Sequence, residues 1–358
     1  MDVRAGQPRG EPVTIAVRPA PSAPDRMRVR SAPSAPDSMP GGLSRDWHAA
    51  FPLNVRLTLL VHRRGPGDPT LRIDDRGAIW RTSLTPDGPG TLRLVRIGPA
   101  LGEPGGSETP AAEPVTSIRA SAWGHGATWL LDTLPDLLGA SDDPTAFRPA
   151  QPRLRDLAQQ LSGLRISRTA RVLEALVPAV LEQKVVSIEA NRAWRRLLTW
   201  YGSPAPGPAP AGMRVIPSAA TWQAIPSWDW HRAGVEAVRA RTIANAASAA
   251  GRLEAISCLP AADADRKLRS LPGIGPWTSA EVRQRACGDP DAVSVGDYHI
   301  PALVGWTLAG QVTDDAGMLE LLSPYAGQRY RVTRLIELGG QGPPRRGHRM
   351  SVRDYRAI

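Results

Sequence analysis

The stretch Leu271-Pro-Gly-Ile-Gly-Pro-Trp-Thr-Ser279 sets Gly273 and Gly275 on either side of Ile274, and Asp297 follows 24 residues after Gly273, next to Tyr298. Glycines can take φ > 0 and carry no Cβ, so a foreign backbone can come close to them. Ile274 would anchor such a turn in the core. A helix starting near Pro276 then turns its unpaired N–H groups and the positive end of its dipole outward. That arrangement holds a phosphate without reading any base. An ordinary corner between two helices uses the same residues, but the full run Leu-Pro-Gly-Ile-Gly-x-x-Thr is more specific than a bare Gly-x-Gly. Asp297 precedes Tyr-His-Ile-Pro-Ala-Leu-Val, a helix start, where aspartate is a favoured cap worth about 1 kcal/mol. A cap and a chemical role are compatible, because a carboxylate at a helix start points outward. Trp277 by itself is read as core packing.

The composition narrows what these residues can serve. The net charge is +10, and all but two of the 44 basic residues are arginine, the exceptions being Lys184 and Lys267. Arginine forks onto phosphate, so a polyanion, nucleic acid first, is the expected partner; a biased genome would produce the same arginine usage. Two cysteines, Cys258 and Cys287, cannot build a disulfide framework, a cysteine-rich zinc site or a four-cysteine cluster. Six scattered histidines form no HxH or HExxH pair. No metal and no cofactor are expected. No apolar run is long enough to span a bilayer and the N-terminus has no apolar leader, so the reading is a soluble, cytoplasmic protein.

Several elements must position the site. Residues 1–45 are rich in Pro, Ala, Ser and Arg, contain the duplication APSAPDRM and APSAPDSM, and read as a disordered tail. Residues 46–122 carry short alternating segments, LNVRLTLLVH, GAIWRTSL, TLRLVRIG and VTSIRASAW, parted by turn residues and a surface loop LGEPGGSETPAAEP; they predict a small antiparallel sheet. Residues 123–338 turn helical, with apolar residues at helical spacing punctuated by glycine and proline. The remaining 339–358 read as a basic tail. The fold class is α+β: a small N-terminal antiparallel sheet domain followed by a mostly α-helical domain.

LPGIGPWTS resembles the helix–hairpin–helix of the base-excision DNA glycosylases, and VSVGDY resembles the segment that carries their catalytic aspartate. Within that superfamily the likeness is greatest to the DNA-3-methyladenine glycosylase II (AlkA-like) branch, over about residues 50–338. The resemblance implies a monomer that binds double-stranded DNA at damaged bases, nucleoid-associated through that binding. It implies Asp297 as the catalytic group: as the N-glycosidic bond of a flipped nucleotide breaks, a negative carboxylate steadies the cationic sugar and orients water. It places Trp277, Glu281 and Tyr298 at the base pocket, where an electron-rich wall suits a cationic methylated purine. Gly273, Ile274, Gly275 and Thr278 would hold the DNA backbone. Gln183 and Lys184 stand where relatives insert a side chain into the gap left by flipping.

Three departures matter. Strand-cutting relatives carry a lysine where this chain has Trp277, so no Schiff base can form there and a monofunctional enzyme without AP-lyase activity is expected. Glu281 replaces a tyrosine; a pocket carboxylate and a solvated helix residue are both open. The second pocket tryptophan has no match in PYAGQRYRVTRLIEL. The alternatives are a non-catalytic hairpin DNA-binding protein and a glycosylase for deaminated or oxidised bases.

Overall fold

Five strands, β1 (Leu43–His48), β2 (Leu71–Ile73), β3 (Ile79–Thr85), β4 (Gly88–Ile97) and β5 (Ser117–Trp123), form one antiparallel sheet in the order β1-β5-β4-β3-β2. The computed structural model describes residues 42–97 and 116–344, all within one unit of the chain, Gly41–Ile358. The duplicated tail motif, the loop LGEPGGSETPAAEP and the end of the basic C-terminal run lie outside the described residues. Alternation works as expected in β5, where Ile118, Ala120 and Ala122 are buried and the residues between them are less so. The β3–β4 hairpin turns where Gly88 sits at φ +121°, and Thr85 Oγ1 donates to the Gly88 carbonyl across it. β1 begins at Leu43, inside the stretch read as tail.

The segment LNVRLTLLVH corrects the expectation of a strand. It forms a short helix, Val55–Leu59, continued by a 3₁₀ turn, Leu60–His62. The reason is local: the Asn54 side chain accepts from the Leu57 N–H at 3.1 Å and caps the helix. The rest of the sheet is paired without it, and the turn is released to face the helical part of the molecule.

Of the four apolar cores among the described residues, three position the site. The first joins the sheet to the helix Ala127–Asp132 through Leu59, Leu92, Ile118 and Leu130. The second gathers the helices Val172–Leu181, Ser187–Tyr201, Ala237–Ser248 and Ala261–Arg269, with Ile274 and Val282 of the hairpin. The third is assembled from both ends of the helical region, Pro152–Gln160 packing with Ile300–Ala309, Asp315–Leu322 and Arg329–Gly339. The helix Val172–Leu181 is buried along most of its length, as a helix apolar on all sides must be. It has no cap of its own. Glu254, from a distant helix, accepts from the N–H groups of Val172 at 2.7 Å and Leu173 at 3.2 Å. Burial raises the Glu254 carboxyl above its ordinary range, with Arg171 working against that shift.

Candidate active site

The three cores meet at a cleft of about 850 Å³, lined by the turn Leu60–Gly65 of the sheet lobe, the loop Glu182–Ile188, the hairpin residues Trp277 and Glu281, and the segment Gly296–Ile300. The hairpin forms one wall. The helix Ala261–Arg269 ends, the Leu271 and Ile274 N–H groups close tight turns onto Leu268 and Leu271, and the helix Pro276–Val282 begins. Gly273 lies at φ +86°, and a Cβ there would collide with Thr242. Gly275 corrects the sequence reading: its φ of −93° suits any residue, and a Cβ would meet nothing within 4 Å. Ile274 is buried, with 6% of its surface exposed, and anchors the turn in the second core. The first intrahelical bond runs from Ser279 N–H to the Gly275 carbonyl at 3.0 Å, so the N–H groups of Gly275, Trp277 and Thr278 precede the helix's own pattern.

Asp297 lies in the cleft directly beside the hairpin. One carboxylate oxygen, Oδ1, accepts from the N–H groups of His299 at 2.7 Å and Ile300 at 3.0 Å, at the start of the helix Ile300–Ala309. The other, Oδ2, accepts from the Trp277 indole N–H at 3.0 Å. The two readings of Asp297 therefore coincide: it caps a helix and lies in the cleft. Trp277 is neither simple core nor a free wall, since its ring edge is committed to the carboxylate.

The loop bearing Asp297 is itself held from two sides. Gly296, at φ +92°, donates its N–H to both oxygens of Asp315 at 3.0 and 3.1 Å. Ser294 is gripped by the Gln284 amide at 2.9 Å and gives its own proton to Glu281 at 2.7 Å. Gln284 stands in a π-turn, Arg283–Cys287, that extends the hairpin helix. Glu281 is thus no solvated helix residue. It is 8% exposed, and its second oxygen accepts from Arg285 Nη1 at 2.7 Å. Burial is the largest influence on Arg285 and acts against its charge; Glu281, Tyr330, Glu182 and Glu337 together outweigh it and leave the guanidinium pKa above the usual arginine value.

Gln183 lines the cleft with its amide committed to the hairpin. Its amide donates to the Gly273 carbonyl and to Thr278 Oγ1, both at 2.9 Å, tying the loop to the hairpin. Thr278 is 2% exposed, so its side chain serves this bridge and does not face outward. Lys184 is exposed at φ +55°, a conformation costly for a residue with a Cβ. Glu182, two residues earlier, is held by Arg64 Nη1 at 3.0 Å to each oxygen. Ile188, 59% exposed, lines the same rim. Tyr298 lines the cleft but is 81% exposed and rests edge-on against His299, at 4.9 Å between ring centroids, so it stands at the mouth. Arg195 and Arg196 bond to the carbonyls of Pro66 and of Arg232 and Ala233, staying within the protein.

The sequence reading missed Arg64, Gln284, Arg285 and Ser294, which reach the site only through tertiary contacts, and Tyr330, Arg334 and Glu337, which share one helix face. Their spacing of four and then three residues was the available signal.

Comparison with known proteins bears on this geometry. Over 82% of its length the chain superposes on 97% of a 3-methyladenine DNA-glycosylase from Archaeoglobus fulgidus, with TM-score 0.65 and 15% identity. It superposes similarly on an 8-oxoguanine glycosylase/lyase from Clostridium acetobutylicum in complex with DNA, with TM-score 0.61, 9% identity, and coverage of 82% and 96%. The chain shares the fold of these two DNA glycosylases. In sequence this glycosylase-fold chain is 34% identical over 167 residues to the probable bifunctional transcriptional activator/DNA repair enzyme AlkA of Mycobacterium tuberculosis. That match takes in 45% of the chain, which spans about a third of that relative's length (33%). No family model matches the chain. Among the described residues no helix is long and apolar enough to cross a membrane, and no group of side chains could hold a metal ion.

Proposed function

We propose that the protein is a monofunctional DNA glycosylase of base-excision repair, which everts alkylated purines of the 3-methyladenine type from duplex DNA and hydrolyses their N-glycosidic bond. The observation that carries this reading is the Asp297 carboxylate, held by three N–H donors in a cleft that the hairpin also lines. The hairpin's outward N–H groups take a phosphate of the damaged strand. Eversion brings the sugar to Asp297. As the bond breaks, its electron pair leaves with the base, and the negative carboxylate steadies the cationic sugar. Water then adds to the anomeric carbon and releases its proton to solvent, leaving an abasic site. Because the carboxylate is already oriented by Trp277 and two backbone donors, little reorganisation is required when charge develops.

Trp277 occupies the position at which an amine would be needed for strand cleavage. Among the described residues that line the cleft, the one primary amine belongs to Lys184, on the exposed rim of the opposite loop. The decisive experiment incubates the protein with methylated duplex DNA and identifies released bases by mass spectrometry. Asp297→Asn keeps a capping side chain and is expected to lower base release about 10²–10³-fold while duplex affinity is retained; a fully active variant refutes the mechanism. Borohydride trapping on damaged DNA is expected to yield no cross-link, and a stable one refutes the monofunctional assignment. Duplex binding with no base released from any lesion would instead identify a DNA-binding module.

A further inference from the structure

The cleft is also lined by the helix Arg329–Gly339. Tyr330, Arg334 and Glu337 follow at spacings of four and three residues, and all three line the cleft. Tyr330 is 5% exposed, yet its hydroxyl has no hydrogen-bond partner among the described residues and is not sealed from solvent. Arg334 Nη1 donates to Glu337 Oε2 at 3.2 Å. The other carboxylate oxygen of Glu337 has no partner, and 31% of its side chain is reached by solvent. Burial raises the Glu337 carboxyl above its ordinary range, Arg334 opposes this, and Glu281 adds to it. The neighbouring ion pair differs: both oxygens of Glu281 are already occupied by Ser294 and Arg285. The free hydrogen-bonding capacity of this wall therefore lies in Tyr330, Arg334 and Glu337.

We propose that these three side chains form an edge-reading wall that restricts the site to alkylated purines whose Watson–Crick edge is intact. The inference rests on the glycosylase reading of the same cleft. An aromatic wall holds a cationic base by its face and is indifferent to the base edge. A wall of donors and acceptors is not: once water is expelled, a base without the matching edge leaves buried polar groups unpaired. Arg334 donates to a ring nitrogen or carbonyl acceptor of the base, Glu337 accepts from the adjacent N–H, and the Tyr330 hydroxyl serves as either. Alkylation at N3 or N7 of a purine leaves this pattern in place. A purine whose exocyclic amine and ring nitrogen are closed into an etheno bridge has lost the N–H donors.

The test is single-turnover excision from duplexes carrying 7-methylguanine or ethenoadenine, read as the ratio of the two rates. An unpaired hydrogen bond to a charged group costs about 1.5–3 kcal/mol. Glu337→Leu and Arg334→Leu should therefore lower the wild-type ratio by about 10-fold or more, and Tyr330→Phe by less. Glu337→Gln, which keeps the shape, carries the test if a leucine variant melts early. Release of both bases with a ratio unmoved in folded variants overturns this inference alone. Release of neither base by the wild type overturns the glycosylase reading, and this inference with it.

Discussion

The two hairpin glycines make opposite demands, and a pair of alanine substitutions separates them. At Gly273 the backbone lies at φ +86° and a Cβ would collide with Thr242. The left-handed conformation alone costs a residue with a Cβ about 1–2 kcal/mol, so Gly273→Ala should lose about 2 kcal/mol or more of folding stability. At Gly275 nothing within the protein requires glycine: φ is −93° and the space beyond the missing Cβ is open. Gly275→Ala should therefore keep or gain stability, by up to about 1 kcal/mol through the unfolded chain. If the open space is where a DNA phosphate docks onto the N–H groups of Gly275 and Trp277, the added methyl displaces it. Loss of one charge-assisted hydrogen bond, about 1.5 kcal/mol, corresponds to about a 10-fold weaker Kd. Urea denaturation measures the first quantity. Fluorescence anisotropy on a duplex bearing an abasic-site analogue, at fixed salt, measures the second. A Gly275→Ala protein that is stable and binds DNA within about twofold of wild type would refute the assignment of this space to a phosphate.

Four other outcomes follow from the same geometry. Lys184→Gly relieves the φ of +55° and should stabilise the fold by about 1 kcal/mol while reducing excision from duplex more than from single-stranded DNA; equal loss on both would remove Lys184 from the gap-filling role. Arg64→Ala strands Glu182 without its buried partner and should cost about 3 kcal/mol by chemical denaturation. Asp297→Ala, unlike Asp297→Asn, should also lose about 1 kcal/mol of helix capping, visible as a lower Tm. Burial tends to raise the Asp291 carboxyl, but the Arg329 guanidinium and the N–H groups of Arg329 and Gly327 outweigh it and hold it below its ordinary 3.8. A depressed carboxyl contributes stability above its unfolded value, lost as pH falls below 3.8 through the folded one. Asp291→Asn should flatten that part of the acid-unfolding curve.

Much of the hairpin was legible because its signals are local. Gly273, Ile274 and Pro276 act through backbone angles and burial within a few residues of one another, and Asp297 announces a helix start by the same short-range logic. The strands β3, β4 and β5 were legible from alternation between turn residues. The segment at 53–62 was not, because its apolar residues fit a strand or a helix equally and the Asn54 cap decided between them. Glu281 was ambiguous for a different reason: whether a carboxylate is solvated, free in a pocket or locked depends on which partners the fold delivers. Here Ser294 comes from beyond the π-turn and Arg285 from within it.

What the sequence by itself determined was the set of local geometries: a tight turn that only glycine can make at 273, a helix that must start at Pro276, and a carboxylate at the head of the next helix. What only the tertiary structure decided was where those geometries point. Asp297 meets Trp277, Gln183 bridges to Gly273, Arg64 crosses from the sheet lobe to Glu182, and Tyr330, Arg334 and Glu337 line the same cleft. These pairings span 20 to 118 positions of sequence. They form because elements of separate apolar cores line one cleft, and the polar residues there must find partners across it.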